Sequence, residues 1–559
     1  MAGQHPLQRL QDLINLERQD IVTLLSYGLG IGLLSLTTPI AVQALVNTIA
    51  FGALMQPLIV LTLILLVLLS LGNGLVALQF YVVEMLQRRL FIRLFGETVS
   101  RLQHSSFETR DNNNLTELVN NFFDVVSLQK SAASLLLETL GYFLQTLIGM
   151  GLLAFYHPIL LAFDLFLISI LYVILFVMGK NGIKTAIEQS KAKYIAVAWL
   201  ENIASNPLLG KSQLGEEFLN IRSRQIAEHY LTACIKHFQV LSRQNLGALI
   251  LHTFANSFLL GIGGWMVIER QLSLGQLIAA ELVVNAMIYG LTRLGKTLDN
   301  FYELVASIDK IGYLQDLPQE MFKGNTDYYP DNAFEIHTYH LTVNQSHQTD
   351  QIHDLNLSLS AGDNLVISEG ADRGTLLDVL FGLRNPTKGR IHINQHDMRD
   401  LSLGNLRNNV CLVRDAEVMN ATIYDNVNFG RNLSITDIRT ALEKTSLFDK
   451  VSSFPEGLDT ELCSHGEPLN QDEQLRLTLA RAIAGNPKLL MIDRTLDRID
   501  SPSLSRFLDA FFIEESSTTL MVISHNPKVI ERCKRHAYFS DGKFVEVIKA
   551  TGASYVQQS

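Results

Sequence analysis

The chain has 559 residues, 48% of them hydrophobic and 18% charged, and a formal net charge of -10. At roughly 150 residues per domain that is several cores, and an acidic balance with no Lys/Arg block excludes a general nucleic-acid binder, which needs a basic face for phosphate. The four cysteines, Cys234, Cys411, Cys463 and Cys533, form no CxxC pair, so neither a zinc site nor a disulfide framework is expected and no metal is predicted.

The opening segment, MAGQHPLQRLQDLINLERQD, is polar and amphipathic, with no apolar run before residue 21 and no small-residue cleavage site. It predicts an interfacial elbow helix or a short soluble tail, not a cleaved signal peptide. A membrane helix needs about 20 mostly apolar residues, and six segments meet that length approximately: 21–50, 57–86, 132–155, 159–179, 246–268 and 276–300. The connections after the first, third and fifth (FGALMQP, YHP, ERQLS) are short and nearly free of basic residues. Those after the second and fourth are long and carry Arg88, Arg89, Arg93, Arg101 and Arg110, then Lys180, Lys184, Lys191, Lys193, Arg222 and Arg224. The positive-inside rule therefore places the long loops and both termini in the cytoplasm. Helical spacing continues through them, as from Leu86 to Asp124, so the membrane helices are expected to project beyond the bilayer. Asp164 and Glu281 lie inside apolar spans, where an ionisable group faces a cavity, a partner or a headgroup.

Residues 318–333, PQEMFKGNTDYYPDNA, are rich in turn formers and mark a linker. Beyond it the runs FEIHTYHLTV, DNLVIS, GRIHIN, VCLVR, KLLMID, TTLMVIS and HAYFS alternate with helical patterns at 374–383 and 470–485, which predicts an α/β domain with a largely parallel sheet.

Together with PTKGRIHINQHDMRDL, TIYDNVNFG, FPEGLDTEL, LARAIAGNPKLLMID, VISH and SDGKFVE, the segment Phe334 to Val547 resembles the nucleotide-binding domain of ABC exporters. The string GIGGWMVIERQLSLGQLIAA is similar to that family's fifth-to-sixth helix region, and the membrane half looks closest to type I secretion and peptide exporters. The resemblance implies an α-helical six-span transmembrane domain (1–317), the linker, a P-loop-type ABC ATPase-fold domain (334–547) and a C-terminal tail (548–559). It also implies ATP and magnesium as cofactors, a homodimer or a heterodimer with another half-transporter, coupling helices near Phe107 to Leu118 and Pro207 to Glu217, residence in the cytoplasmic membrane, and secretion or envelope proteins as partners.

The match departs from the family where nucleotide is handled. The phosphate loop GxxxxGK[ST] cradles phosphates with backbone N–H groups, a lysine and a magnesium-binding hydroxyl; here it reads ISEGADRG. Ile367 and Asp372 replace glycines, Arg373 the lysine and Gly374 the hydroxyl, with Gly370 and Thr375 retained. Arg414 stands at the magnesium-binding glutamine and Val343 at the adenine-stacking tyrosine. The LSGGQ signature has become Leu469, Asn470, Gln471, Asp472, Glu473. Walker B keeps Asp493, but Arg494 follows in place of the catalytic glutamate, and a guanidinium cannot act as a base. His525, at the switch-histidine position, and Asp500 survive. Arg373 and Arg494 are expected to form an ion-pair network with Asp372 and Asp493. The residues thus predict a catalytically inactive ATPase fold, with ATP and magnesium left only as what the resemblance implies.

Overall fold

A computed structural model describes the chain except residues 1–4, 51–54, 108–114, 321–323, 329–331, 345–351, 371–372, 513–516, 541, 550–554 and 558–559. Two compact units divide between Gln319 and Glu320, and Ser106–Glu108 group with the second.

The first unit is helical. It opens on an amphipathic helix, Pro6–Leu16, with proline at its first turn and Arg9 paired with Asp316. Five described helical segments are long and apolar enough to cross a membrane: Arg18–Thr48, Met55–Gln103, Glu117–Tyr156, Pro158–Met178 and Gln213–Ile268. The segment expected as a sixth span holds a shorter apolar helix, Leu274–Met287. Met55–Gln103 and Gln213–Ile268 run for 49 and 56 residues, or about 70 and 80 Å at 1.5 Å per residue, against a hydrocarbon core of about 30 Å. Each therefore extends far past one bilayer thickness. At the start of Pro158–Met178, His157 Nδ1 accepts from Ile159 N at 3.2 Å and proline sits where a helix has no N–H to satisfy, so the short YHP connection turns directly into the next helix.

The second unit holds two sheets. Strands β1 (Ile336–Val343), β2 (Ile352–Leu355), β3 (Ser358–Leu359), β5 (Lys388–Ile393) and β6 (His396–Asp397) form an antiparallel sheet. The other sheet has the order β12-β11-β10-β4-β9-β8-β7, from β4 (Asn364–Ile367), β7 (Val410–Val413), β8 (Leu489–Asp493), β9 (Thr519–Ile523), β10 (Arg535–Ser540), β11 (Lys543–Lys549) and β12 (Tyr555–Gln557). Its five strands from β10 to β7 are parallel. Their continuous apolar runs follow from burial on both faces. Val366, Leu490, Ile492, Leu520 and Val522 pack into one core, while Leu365, Ile367, Met491, Met521 and Ile523 point into the other. The segment read as a tail supplies β12, antiparallel to β11. Part of the predicted linker is built into this unit: Glu320 takes both Nη atoms of Arg407 at 2.9 and 2.8 Å, and Thr326 bridges Leu401.

Candidate functional site

Strands β4, β9, β8 and β7 lie side by side and run the same way, so their carboxyl ends share one edge, the usual ligand-binding edge of an open α/β sheet. Ser368 leaves β4, Arg414 leaves β7, Asp493 closes β8, and Ser524 and His525 leave β9. Register levels them, since Ile367 and Asp493 both pair with Ile523.

Arg414, which follows the outermost strand β7, reaches across this edge. Its Nε donates to Asp493 Oδ2 at 2.6 Å, and Nη2 donates to Asp378 Oδ1 at 2.8 Å and to the Gly374 carbonyl at 3.4 Å. Asp378 Oδ2 in turn accepts from Arg384 Nε at 2.9 Å, and Arg494 Nε stands 3.5 Å from Asp493 Oδ1. Charges therefore alternate along Arg384, Asp378, Arg414, Asp493 and Arg494, with both carboxylates buried. Burial opposes the charge on Arg414, but Asp378 and then Asp493 outweigh it and hold its pKa above the ordinary arginine value.

The expected ion-pair network is corrected in its membership. Arg494 does reach Asp493, but Arg373 turns to the Ser368 carbonyl at 2.7 Å and His525 Nε2 at 3.0 Å, and the main partner of Asp493 is Arg414. A guanidinium only donates, so His525 accepts through Nε2 and carries its proton on Nδ1. Burial and then the like charge of Arg494 push the Arg373 pKa down. Asp372 lies outside the described residues. Gly370 sits at φ +106, and a Cβ there would come within 2.4 Å of Phe539 Cβ, so this turn requires glycine. A Cβ on Gly374 would make an ordinary contact, 3.6 Å from Asp493 Oδ2, so space does not explain its missing hydroxyl. Thr375 is buried in the helix Arg373–Leu380. Val343 is buried at the end of β1 against Ile352, in the core.

The helix Gln471–Ala484 begins at Asn470 with a capping box. Asn470 Oδ1 accepts from Glu473 N at 2.8 Å, and Glu473 Oε2 accepts from Asn470 N at 2.9 Å. Asp472 takes Arg476 Nε at 2.8 Å and the Asp500 N–H at 3.0 Å, while Asp500 caps the helix Ser501–Phe511. Two carboxylates thus already satisfy the positive end of the signature-position helix. Sequence reasoning missed Asp378, Arg384 and also Asp497, which binds Ser524 Oγ and accepts from His525 N at 3.2 Å. No motif spacing marks them; a β8–β9 crossing and a helix turn bring them in.

In the membrane unit Asp164 is buried, and neither carboxyl oxygen has a hydrogen-bond partner among the described residues. Glu281 is exposed on the helix Leu274–Thr292.

Residues 22–291 match the family model for the ABC transporter transmembrane region, and residues 352–496 match that for the ABC transporter, so the two halves of one family sit fused on one chain. The chain belongs to the ABC transporter family. This transporter is 22% identical over 543 residues to the uncharacterized ABC transporter ATP-binding protein YwjA of Bacillus subtilis (strain 168), covering 93% of each chain. It is 26% identical over 348 residues to the ATP-dependent lipid A-core flippase of Acinetobacter baylyi, covering 60% of this chain and 59% of the flippase. With the alpha-hemolysin translocation ATP-binding protein HlyB of Escherichia coli it shares 23% over 352 residues, 62% of this chain and 50% of HlyB. The transporter's matches to these last two relatives thus span only half to three fifths of their lengths. A bacterial Atm1-family ABC exporter solved with ATP bound superposes with a TM-score of 0.81 at 19% identity over 94% of this transporter and 95% of that chain, a likeness of fold.

Proposed function

We propose that this chain is one half of an ABC exporter whose own nucleotide site does not hydrolyse ATP, retained as a non-catalytic membrane subunit. The observation that carries the reading is Arg414 Nε at 2.6 Å from Asp493 Oδ2. Magnesium takes oxygen ligands in a near-ideal octahedron, and here the Walker B carboxylate already carries one guanidinium and lies beside a second, Arg494. The residues present do not fit a magnesium-triphosphate in hydrolytic geometry: a like charge lies at the metal position, Gly374 stands where the metal-binding hydroxyl would, and Arg494 where the base would. The signature-position helix adds to this, since Glu473 and Asp472 replace the glycines that would meet a facing subunit's phosphate and already occupy the helix start with their own bonds.

The subunit spans the cytoplasmic membrane six times, with its ATPase-fold unit and both termini in the cytoplasm; the basic residues of the two long loops support that orientation. It pairs with a second half-transporter, its own copy or another. A second reading, an ATP-binding half of a heterodimer that moves a peptide, protein or lipophilic cargo, is favoured by Arg373, which keeps a cation at the lysine position beside His525. Phosphate release by the purified full chain in nanodiscs decides whether it is catalytic. The expected result is no magnesium-dependent turnover above that of the Asp493→Asn variant; turnover that this variant abolishes overturns the proposal.

A further inference from the structure

Three helices of the membrane unit depart from α geometry around one cavity. The backbone is π-helical at Leu135–Thr139 and at Val173–Met178, and Arg293, at φ -96 and ψ 1, breaks Leu274–Thr292 from Leu294–Gln315. The cavity measures about 300 Å³ and takes Leu135 and Thr139 from the first π segment, Leu175 from the second, and Thr297 from the turn after the break, with Tyr142 and Leu171 between them. That volume is the lower end of the range for small-molecule sites, roughly 300–1,000 Å³. Protein interiors otherwise close to crystal density, and π segments recur at functional sites. Three irregular helices bordering one void therefore point to an occupant.

The wall is apolar, but one rim is charged. Thr139 and Thr297 stand with their hydroxyls 3.4 Å apart, and each is preceded in sequence by a charged residue, Glu138 and Lys296. The Glu138 carboxylate lies 3.7 Å from Arg293 and 3.6 Å from Lys296, so two cations share one anion and the rim keeps a net positive charge. The Arg293 guanidinium also stands 5.2 Å from the centroid of Tyr289, which meets the ring of Tyr142 edge-on at 6.0 Å. An aromatic pair thus links the cationic rim to the apolar wall.

We propose that this cavity binds a single-chain anionic amphiphile, a long-chain carboxylate whose tail lies among Leu135, Leu171 and Leu175 and whose headgroup meets Arg293 and Lys296. Apolar wall and positive rim act together: a neutral chain forgoes the attraction of the net positive rim, and a small anion leaves the void unfilled. No residue of the cavity belongs to the nucleotide site, so the inference goes beyond the reading above and stands without it.

The test uses the full chain in phosphatidylcholine nanodiscs, without nucleotide, photolabelled by a diazirine-bearing dodecanoate and mapped by mass spectrometry. Labels are expected on the peptides that hold Leu135–Tyr142 and Leu171–Leu175. Free dodecanoate should remove at least nine-tenths of that labelling, and dodecanol at the same concentration little of it. Arg293→Ala combined with Lys296→Ala should weaken competition about tenfold, and Leu171→Trp, which fills the cavity, should abolish labelling. If Leu171→Trp fails to fold, Thr297→Leu replaces it. Labelling spread over all lipid-facing helices, equal competition by dodecanol, or displacement by phosphatidylglycerol, which would make the occupant a bilayer lipid, each overturns the proposal.

Discussion

A single guanidinium decides the character of the strand-end site. Arg414 joins Asp493, 79 residues away, to Asp378, 36 away, and is itself only part-buried. Breaking a buried ion pair costs about 3–5 kcal/mol, and solvent screening at this part-exposed guanidinium lowers that. Arg414→Gln is therefore expected to destabilise the second unit by roughly 2 kcal/mol, and Arg414→Gln with Asp493→Asn to recover part of the loss, both read by thermal unfolding of the full chain. A loss in the double variant equal to the sum of the two single losses would show the pair to be uncoupled. Asp493→Asn alone is expected to leave the subunit's function unchanged. His536 gives a pH prediction. Its Nε2 lies 2.7 Å from Ser368 Oγ, and burial pushes its pKa below the ordinary 6.5. Between the lowered native value and 6.5 the unfolded chain binds more protons, so this contribution to stability is complete above about 6.5 and is lost as pH falls through the native value. His536→Asn should flatten that slope in melts from pH 7.5 to 5. At this scale the sequence displayed the substitutions at Arg373, Arg414 and Arg494, because motif spacing assigns each a position. It did not display which acid each arginine meets, because those partners come from strands and helices that only folding brings together.

Elements were legible where one physical cause dominates. The apolar runs of β4, β8 and β9 read as strands because both faces are buried, and the helical pattern at 470–485 is the helix Gln471–Ala484, which Asn470 and Glu473 cap. Asn470→Ala removes one member of that capping box and should cost about 1 kcal/mol, visible as a lower melting temperature with no change in nucleotide response. Gly370→Ala forces a side chain into φ +106 and against Phe539, a strain of order 1–3 kcal/mol, and should destabilise the β4 turn in hydrogen exchange. Other elements hid from the sequence. The π segments at Leu135 and Val173 leave no residue signature, since LLLET and VILFVM hold neither the glycine nor the proline that would mark a break. The sheet-edge strand β12 lies in a polar, glycine-containing stretch that reads as a tail.

At the scale of the whole molecule, the chain joins a helical membrane unit to an α/β unit, and the asymmetry of apolar residues already separated the two. The number of spans was harder to read because helices of 49 and 56 residues run past the bilayer, so hydropathy fades along a helix without ending it. Partner choice and cargo belong to surfaces that no internal pattern encodes. Arginines and carboxylates fill the strand-end site with one another. The most direct test of that filling is a magnesium-ATP titration of the purified full chain read by thermal stability, where a ligand at 100 times its dissociation constant adds about 2.7 kcal/mol to the folded state. No magnesium-dependent shift is expected at millimolar ATP in the native chain. A saturable shift that Asp493→Asn abolishes would contradict it, because the carboxylate would then be holding the metal and not Arg414.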